Sequence, residues 1–244
     1  MKNYSEYAQS SIRMIDSDGL LKSLKCLGGR KIDVIIESGT FEGTGSTRTV
    51  GNFFKKSPPN VFYTIEINHN SHRKAKRNLK DLPFVRCLFG CSVRMQEALD
   101  FIRNDEAILH HDRYPDIFID DTKDPVSFYS REVEGYLGGK AANLFSIFKS
   151  RPKEGLLKEL IEMHRRDTIL FILDSAGGMG WLEFMTVRKE MKDRGYYLLL
   201  DDIHHLKHFR SAKFIREHPQ EFDIIGQSLD HGWLFCRRKD IHPK

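Results

Sequence analysis

The sequence predicts an α/β protein built on a doubly wound, mostly parallel sheet. Three observations lead there. Short β-branched or aromatic apolar runs alternate with segments of helical periodicity from Asp33 to Arg103, and again from Thr168 onward. Several of these runs (VII, TILFIL, YYLLL) are continuously apolar, as strands covered on both faces must be. The first run closes on Glu37 and passes directly into a glycine-rich turn, SGTFEGTGS, that opens a helix.

Taken in order, residues 1–30 read as a helical flank. Ile12, Ile15, Leu20, Leu21, Leu24 and Leu27 recur near helical spacing, and Gly28-Gly29 stops the run. Val34 to Ile36 form the first strand. In the turn after it, Gly39, Gly43 and Gly45 allow backbone angles and close approaches that a Cβ forbids, while Thr44, Ser46 and Thr47 offer hydroxyls where the helix begins. Ser57-Pro58-Pro59-Asn60 is a break, and Val61 to Ile67 is the second strand. Glu66, near its end, is placed either to accept hydrogen bonds from two ribose hydroxyls or simply to be a surface carboxylate. The basic run NSHRKAKRNLK has Ala75 and Leu79 as its buried stripe, so it reads as a solvated helix face rather than a phosphate track. Phe84 to Phe89 is the third strand, and Ser92 beyond it is placed to cap the helix carrying Met95, Leu99 and Ile102.

Residues 104–166 are too many for one loop and read either as an inserted cap over a pocket or as a surface elaboration, with Asp116 to Asp120 as a strand inside it and helices over Val133 to Phe148 and Leu156 to His164. From Thr168 two apolar runs end in carboxylates, the first in Asp174 and the second in Asp201 and Asp202, with a helix from Trp181 to about Arg194 between them. Parallel strands bring their carboxyl ends to one edge, so these three carboxylates are expected to converge on a hard cation. A helix from Leu206 to Glu217 and two strands, Phe222 to Gln227 and Trp233 to Arg237, complete the chain.

Composition narrows the classes. With 244 residues, 40% hydrophobic and 30% charged, the chain suits one domain over residues 1–244 and is not a disordered polymer. A net charge of +5 permits anionic partners without requiring them. No apolar run approaches a membrane span and the polar start carries no signal core, so a soluble cytoplasmic protein is expected, with no membrane partner. Cys26, Cys87, Cys91 and Cys236 contain no C-x-x-C pair, which argues against a disulfide framework or zinc knuckle.

The turn's spacing selects among ligands. After Gly43 and Gly45 the third glycine of a dinucleotide fingerprint would fall on Arg48, and a phosphate loop would need a lysine where Ser46 stands. An acidic residue followed by G-x-x-x-G-x-G remains. That pattern resembles motif I of the class I S-adenosylmethionine-dependent methyltransferases. The resemblance implies a Rossmann-like, seven-stranded sheet whose last strand is antiparallel and inserted, with S-adenosyl-L-methionine held by Glu37, Gly39, Thr40, Gly43, Gly45, Ser46, Glu66 and Ser92. The carboxylates after the later strands resemble those of the metal-dependent small-molecule O-methyltransferases, the macrocin and cephalosporin-tailoring groups. This second likeness implies a divalent cation, Mg2+, on Asp174, Asp201 and Asp202, and methyl transfer to a hydroxyl of a small molecule, with nucleic acid not expected as a partner. Ser175, Ala176, Gly177 and Gly178 stand where that group carries its proton acceptor, so the base is sought among His204, His205 and His208, with His205 preferred. Two other readings stay open: a catalytically silent cofactor-binding or scaffold protein of the same fold, and an RNA methyltransferase resting on the basic helix and net charge.

Overall fold

The computed structural model describes residues 17–120, 123–138, 152–175, 177–230 and 232–240. Its frame is one seven-stranded sheet in the order β3-β2-β1-β4-β5-β7-β6, formed by β1 (Val34–Ser38), β2 (Val61–Glu66), β3 (Val85–Phe89), β4 (Ile169–Leu173), β5 (Tyr196–Leu200), β6 (Phe222–Ser228) and β7 (Trp233–Arg238). The strands from β1 to β5 pair in parallel, and β7 is inserted antiparallel between β5 and β6. This is the doubly wound, Rossmann-like sheet that the alternation of apolar runs predicts. The central strands β1, β4 and β5 are buried at every position, which is why their sequences lack polar alternation.

Side chains of successive residues leave a strand on opposite faces, and the core divides accordingly. On one face Val34, Ile36, Phe171, Leu173, Leu198 and Leu200 pack under α7 (Leu156–Met163), α8 (Gly180–Met191) and α9 (Phe209–Glu217). On the other, Ile35, Leu170, Ile172, Tyr197 and Leu199 meet α1 (Ser17–Lys25), α2 (Ser46–Phe54) and α3 (His69–Asn78). Each fully buried aliphatic side chain contributes about 1.5–3 kcal/mol, so the two layers carry most of the fold's stability. Helix α1 is the described part of the expected flank and ends at Gly28 and Gly29, both at positive φ; Ile12 and Ile15 lie outside the described residues. Helix α3 buries Ala75, with Leu79 just beyond its end, and Asn68 caps it by accepting from the Asn70 and Ser71 backbone N–H groups.

The stretch expected as a cap divides in two. Helices α4 (Met95–Asn104), α5 (Glu106–Leu109) and α6 (Pro125–Gly138) form a third cluster of apolar side chains beside the sheet. Helix α7, by contrast, is an ordinary flanking helix with Leu156, Leu157, Leu160 and Ile161 in the main core. Asp116 to Asp120 is not a sheet strand. Both edges of β4 are already taken, by β1 and β5, so Phe118 makes an isolated bridge to His205 in the loop after β5. Among the described residues no helix is long and apolar enough to cross a membrane.

Candidate active site

A cavity of about 350 Å3 opens at the carboxyl ends of β1 to β4, the edge where open α/β sheets hold ligands. Gly39 and Phe41 line it from the turn after β1, Glu66 and Ile67 from the end of β2, and Cys91 and Ser92 from beyond β3. Asp174 and Ser175 enter from β4, Tyr129, Glu132 and Val133 from α6, and Lys207 from the loop after β5.

Glu66 lines the cavity at the end of β2. Its Oε2 accepts the Phe41 backbone N–H at 2.7 Å and its Oε1 that of Asn68 at 2.6 Å. Burial pushes its pKa upward against those bonds. A carboxylate has about four acceptor sites, so these backbone bonds do not exhaust it. Phe41, at φ 50 and 55% exposed, projects at the rim while its backbone serves Glu66.

The glycine turn does more structural work than the spacing suggests. A Cβ on Gly39, at φ +86, would lie 1.9 Å from the Asp174 carbonyl oxygen, so this glycine lets β1 and β4 close at the cavity floor. Gly43 is pressed against Leu79, whereas Gly45 faces open space. Glu37 is not in the cavity wall. It is fully buried behind the turn, where Ser46 Oγ donates to it at 2.9 Å and Thr47 and Thr64 Oγ1 donate at 2.6 Å each. Burial raises its pKa to about 7 in spite of these donors. Thr40 joins the same cluster through Thr64. Of the residues expected to hold the cofactor, Gly39, Glu66 and Ser92 therefore face the cavity, while Glu37, Thr40 and Ser46 brace the turn from behind.

A second buried carboxylate, Glu183 of α8, escapes a reading of the sequence. Ser38 Oγ donates to it at 2.9 Å and Ser175 Oγ at 2.8 Å, and Ser92 Oγ adds a third bond. Three strand ends are thus tied to one side chain beneath the cavity. The available signal was a lone carboxylate on the apolar stripe that Gly180, Val187 and Met191 define.

Asp174, Asp201 and Asp202 do converge, but on a lysine. Lys207 Nζ lies 2.9 Å from Asp174 Oδ1 and 2.7 Å from Asp202 Oδ2, with its side chain only 7% exposed. Asp202 has φ 52, a left-handed conformation that aspartate tolerates. Burial and the adjacent carboxylates raise Asp174 to about 6 and push Asp201 well above the usual range. Burial opposes the Lys207 ammonium, yet the three carboxylates outweigh it and raise its pKa. The donor set consequently does not fit the expected divalent cation: its centre is filled by an ammonium, and no cluster of metal-ligating side chains is found among the described residues.

His205 is also differently employed. Its Nδ1 accepts the Lys207 backbone N–H at 3.1 Å and its Nε2 bonds Asp120 Oδ2 at 3.2 Å, so neither nitrogen is free for a substrate proton. It shapes the loop that delivers Lys207. Glu132 lines the cavity wall as an exposed residue, and desolvation on its cavity side and the charge of Asp120 raise its pKa.

No protein-family model and no curated protein matches this sequence. Solved structures with a similar chain path include cofactor-bound Rv0187 from MTB (14% identity, TM-score 0.47, covering 93% of this chain and 81% of that one). The 23S rRNA methyltransferase ErmE is similar at 9% identity and TM-score 0.44 over 95% of this chain and 71% of that one. A putative RNA methyltransferase from Pyrococcus horikoshii is similar at 12% identity and TM-score 0.41 over 93% and 83%. Two of these three are described as acting on RNA, against the expectation that nucleic acid is not a partner, and that expectation is withdrawn. At such identities the fold assignment rests on the strand order itself.

Proposed function

We propose that this chain is an S-adenosylmethionine-dependent methyltransferase whose cofactor lies along Gly39, Glu66 and Ser92 and whose acceptor enters beside Glu132, Asp174 and Lys207. The observation that carries the reading is Glu66: a buried carboxylate at the end of β2, next to the glycine turn, lining a cavity at the carboxyl edge of the sheet. The motif I resemblance of the turn and the inserted antiparallel β7 support it. The donor set fits the cofactor, since Glu66 suits two adjacent ribose hydroxyls and Ile67 and Cys91 give an apolar wall beside it.

When bound, the cofactor supplies a methyl group made electrophilic by its sulfonium. The chain's own residues position and deprotonate. Gly39 and Phe41 bound the cofactor end, Val133 and Met179 exclude water, and Glu132, an exposed carboxylate at the cavity wall whose pKa is raised, takes the acceptor's proton. Thermal unfolding with and without ligands tests the reading. S-adenosylhomocysteine should raise the Tm in a concentration-dependent way while NAD and ATP leave it unchanged, because only a ligand of the native state stabilises it. A shift with NAD or ATP and none with S-adenosylhomocysteine would refute it.

A further inference from the structure

We infer that Lys207 is the built-in cation of the acceptor end, holding with one ammonium the carboxylates that would otherwise bind a divalent ion and presenting a hydrogen-bond donor to an oxygen of the acceptor. This rests on the proposed function for its chemical meaning, but its structural content does not. Asp174 and Lys207 line the cavity, whereas Asp201 and Asp202 are not in its wall, so the lysine stands between the carboxylate pair and whatever enters. An ammonium has three N–H donors. Two are matched by Asp174 Oδ1 at 2.9 Å and Asp202 Oδ2 at 2.7 Å, leaving the third for a ligand. A Mg2+ or Ca2+ ion would need those same oxygens at about 2.0–2.6 Å, and would have to occupy the space that Nζ fills.

The lysine is fixed, not merely present. His205 Nδ1 accepts its backbone N–H, and the start of α8 packs so closely on its carbonyl that a Cβ on Gly180 would lie 2.5 Å from the Lys207 oxygen. With its main chain held from both sides and its side chain almost wholly buried, Lys207 cannot swing out to make way for a metal without unpacking the loop. The arrangement also limits the acceptor. An ammonium donates and cannot accept, so the atom it faces must offer a lone pair, as a hydroxyl, enol or carboxylate oxygen does and a protonated amine does not.

Mn2+ binding, followed by electron paramagnetic resonance on the full chain, decides the matter. Wild-type protein should show no saturable Mn2+ site. Lys207→Met, which keeps the apolar stem and removes the charge, should expose the carboxylates and gain at least about tenfold in affinity, to a Kd of about 10⁻⁴–10⁻³ M, the weak end of oxygen-ligand sites. Lys207→Arg should remain silent. Saturable Mn2+ binding by wild type that Asp174→Asn abolishes would overturn the inference, and this arm does not depend on any lysine variant folding. A folded Lys207→Met with no gain would overturn it as well. S-adenosylhomocysteine affinity, measured on the same samples, separates the two claims: its absence in every protein would sink the methyltransferase reading while leaving the Mn2+ result to judge Lys207.

Discussion

Replacing Glu37 by glutamine should flatten the pH dependence of stability. In the folded protein this carboxyl is fully buried and its pKa stands at about 7, against 4.5 for an ordinary glutamate. At about 1.4 kcal/mol per pH unit, that difference corresponds to about 3 kcal/mol. The sign follows from proton binding: between the two values the native state holds a proton that the unfolded chain has released, so stability falls as pH rises through this window. Below about pH 4.5 the contribution is fully present, and above about pH 7 it is lost. Glu37→Gln keeps one acceptor oxygen for the Thr47 and Thr64 hydroxyls and offers an NH2 that the Ser46 hydroxyl can accept, but cannot ionise. Urea unfolding of both proteins at about pH 5 and pH 8 should therefore show wild type losing about 2–3 kcal/mol more than the variant. Parallel profiles would refute the burial of an ionisable Glu37 behind the turn.

Other perturbations separate structural from binding roles. Gly39→Ala should cost at least about 3 kcal/mol or abolish folding, through the clash with the Asp174 carbonyl and the positive φ, whereas Gly45→Ala, facing open space, should stay within about 1 kcal/mol of wild type in urea unfolding. Glu183→Ala leaves the Ser38, Ser92 and Ser175 hydroxyls without their acceptor and should cost about 3 kcal/mol or more, a large part of a typical 5–15 kcal/mol total; a loss below about 1 kcal/mol would show that it does not hold the floor together. Because Tyr129, Glu132 and Val133 line the cavity, S-adenosylhomocysteine should slow amide hydrogen exchange in α6, and equal rates with and without it would make the helix a bystander.

The sheet was legible because its central strands are buried on both faces. Runs such as Ile169 to Leu173 cannot alternate, and glycine and proline breaks fence them. The inserted β7 could be expected from the methyltransferase resemblance but not from its own sequence. What stayed hidden were pairings between distant segments. Glu37 looks like a ligand-facing acid until Thr64, on the neighbouring strand, is seen donating to it. Lys207 is one charge among histidines in IHHLKHF, and nothing local says that it will meet Asp174 across the sheet edge. The three aspartates were brought to one place as parallel strands require, yet their partner came from the loop that follows, which periodicity does not describe. Asp116 to Asp120 failed as a strand for a global reason as well, because the edges of β4 were already occupied.

Calorimetric titration of S-adenosylhomocysteine into wild type and Glu66→Ala tests the cofactor site most directly. Glu66 is the wall carboxylate at the end of β2, and hydrogen bonds to a charged group are worth about 1.5–3 kcal/mol, so the variant should bind about 10- to 100-fold more weakly. Glu66→Gln keeps one acceptor oxygen and turns an NH2 toward the other backbone N–H, so it should lose affinity together with one of the Phe41 and Asn68 bonds. Saturable binding by wild type and the expected loss in both folded variants is the predicted result; affinity unchanged by either substitution would contradict the placement of the cofactor along Glu66.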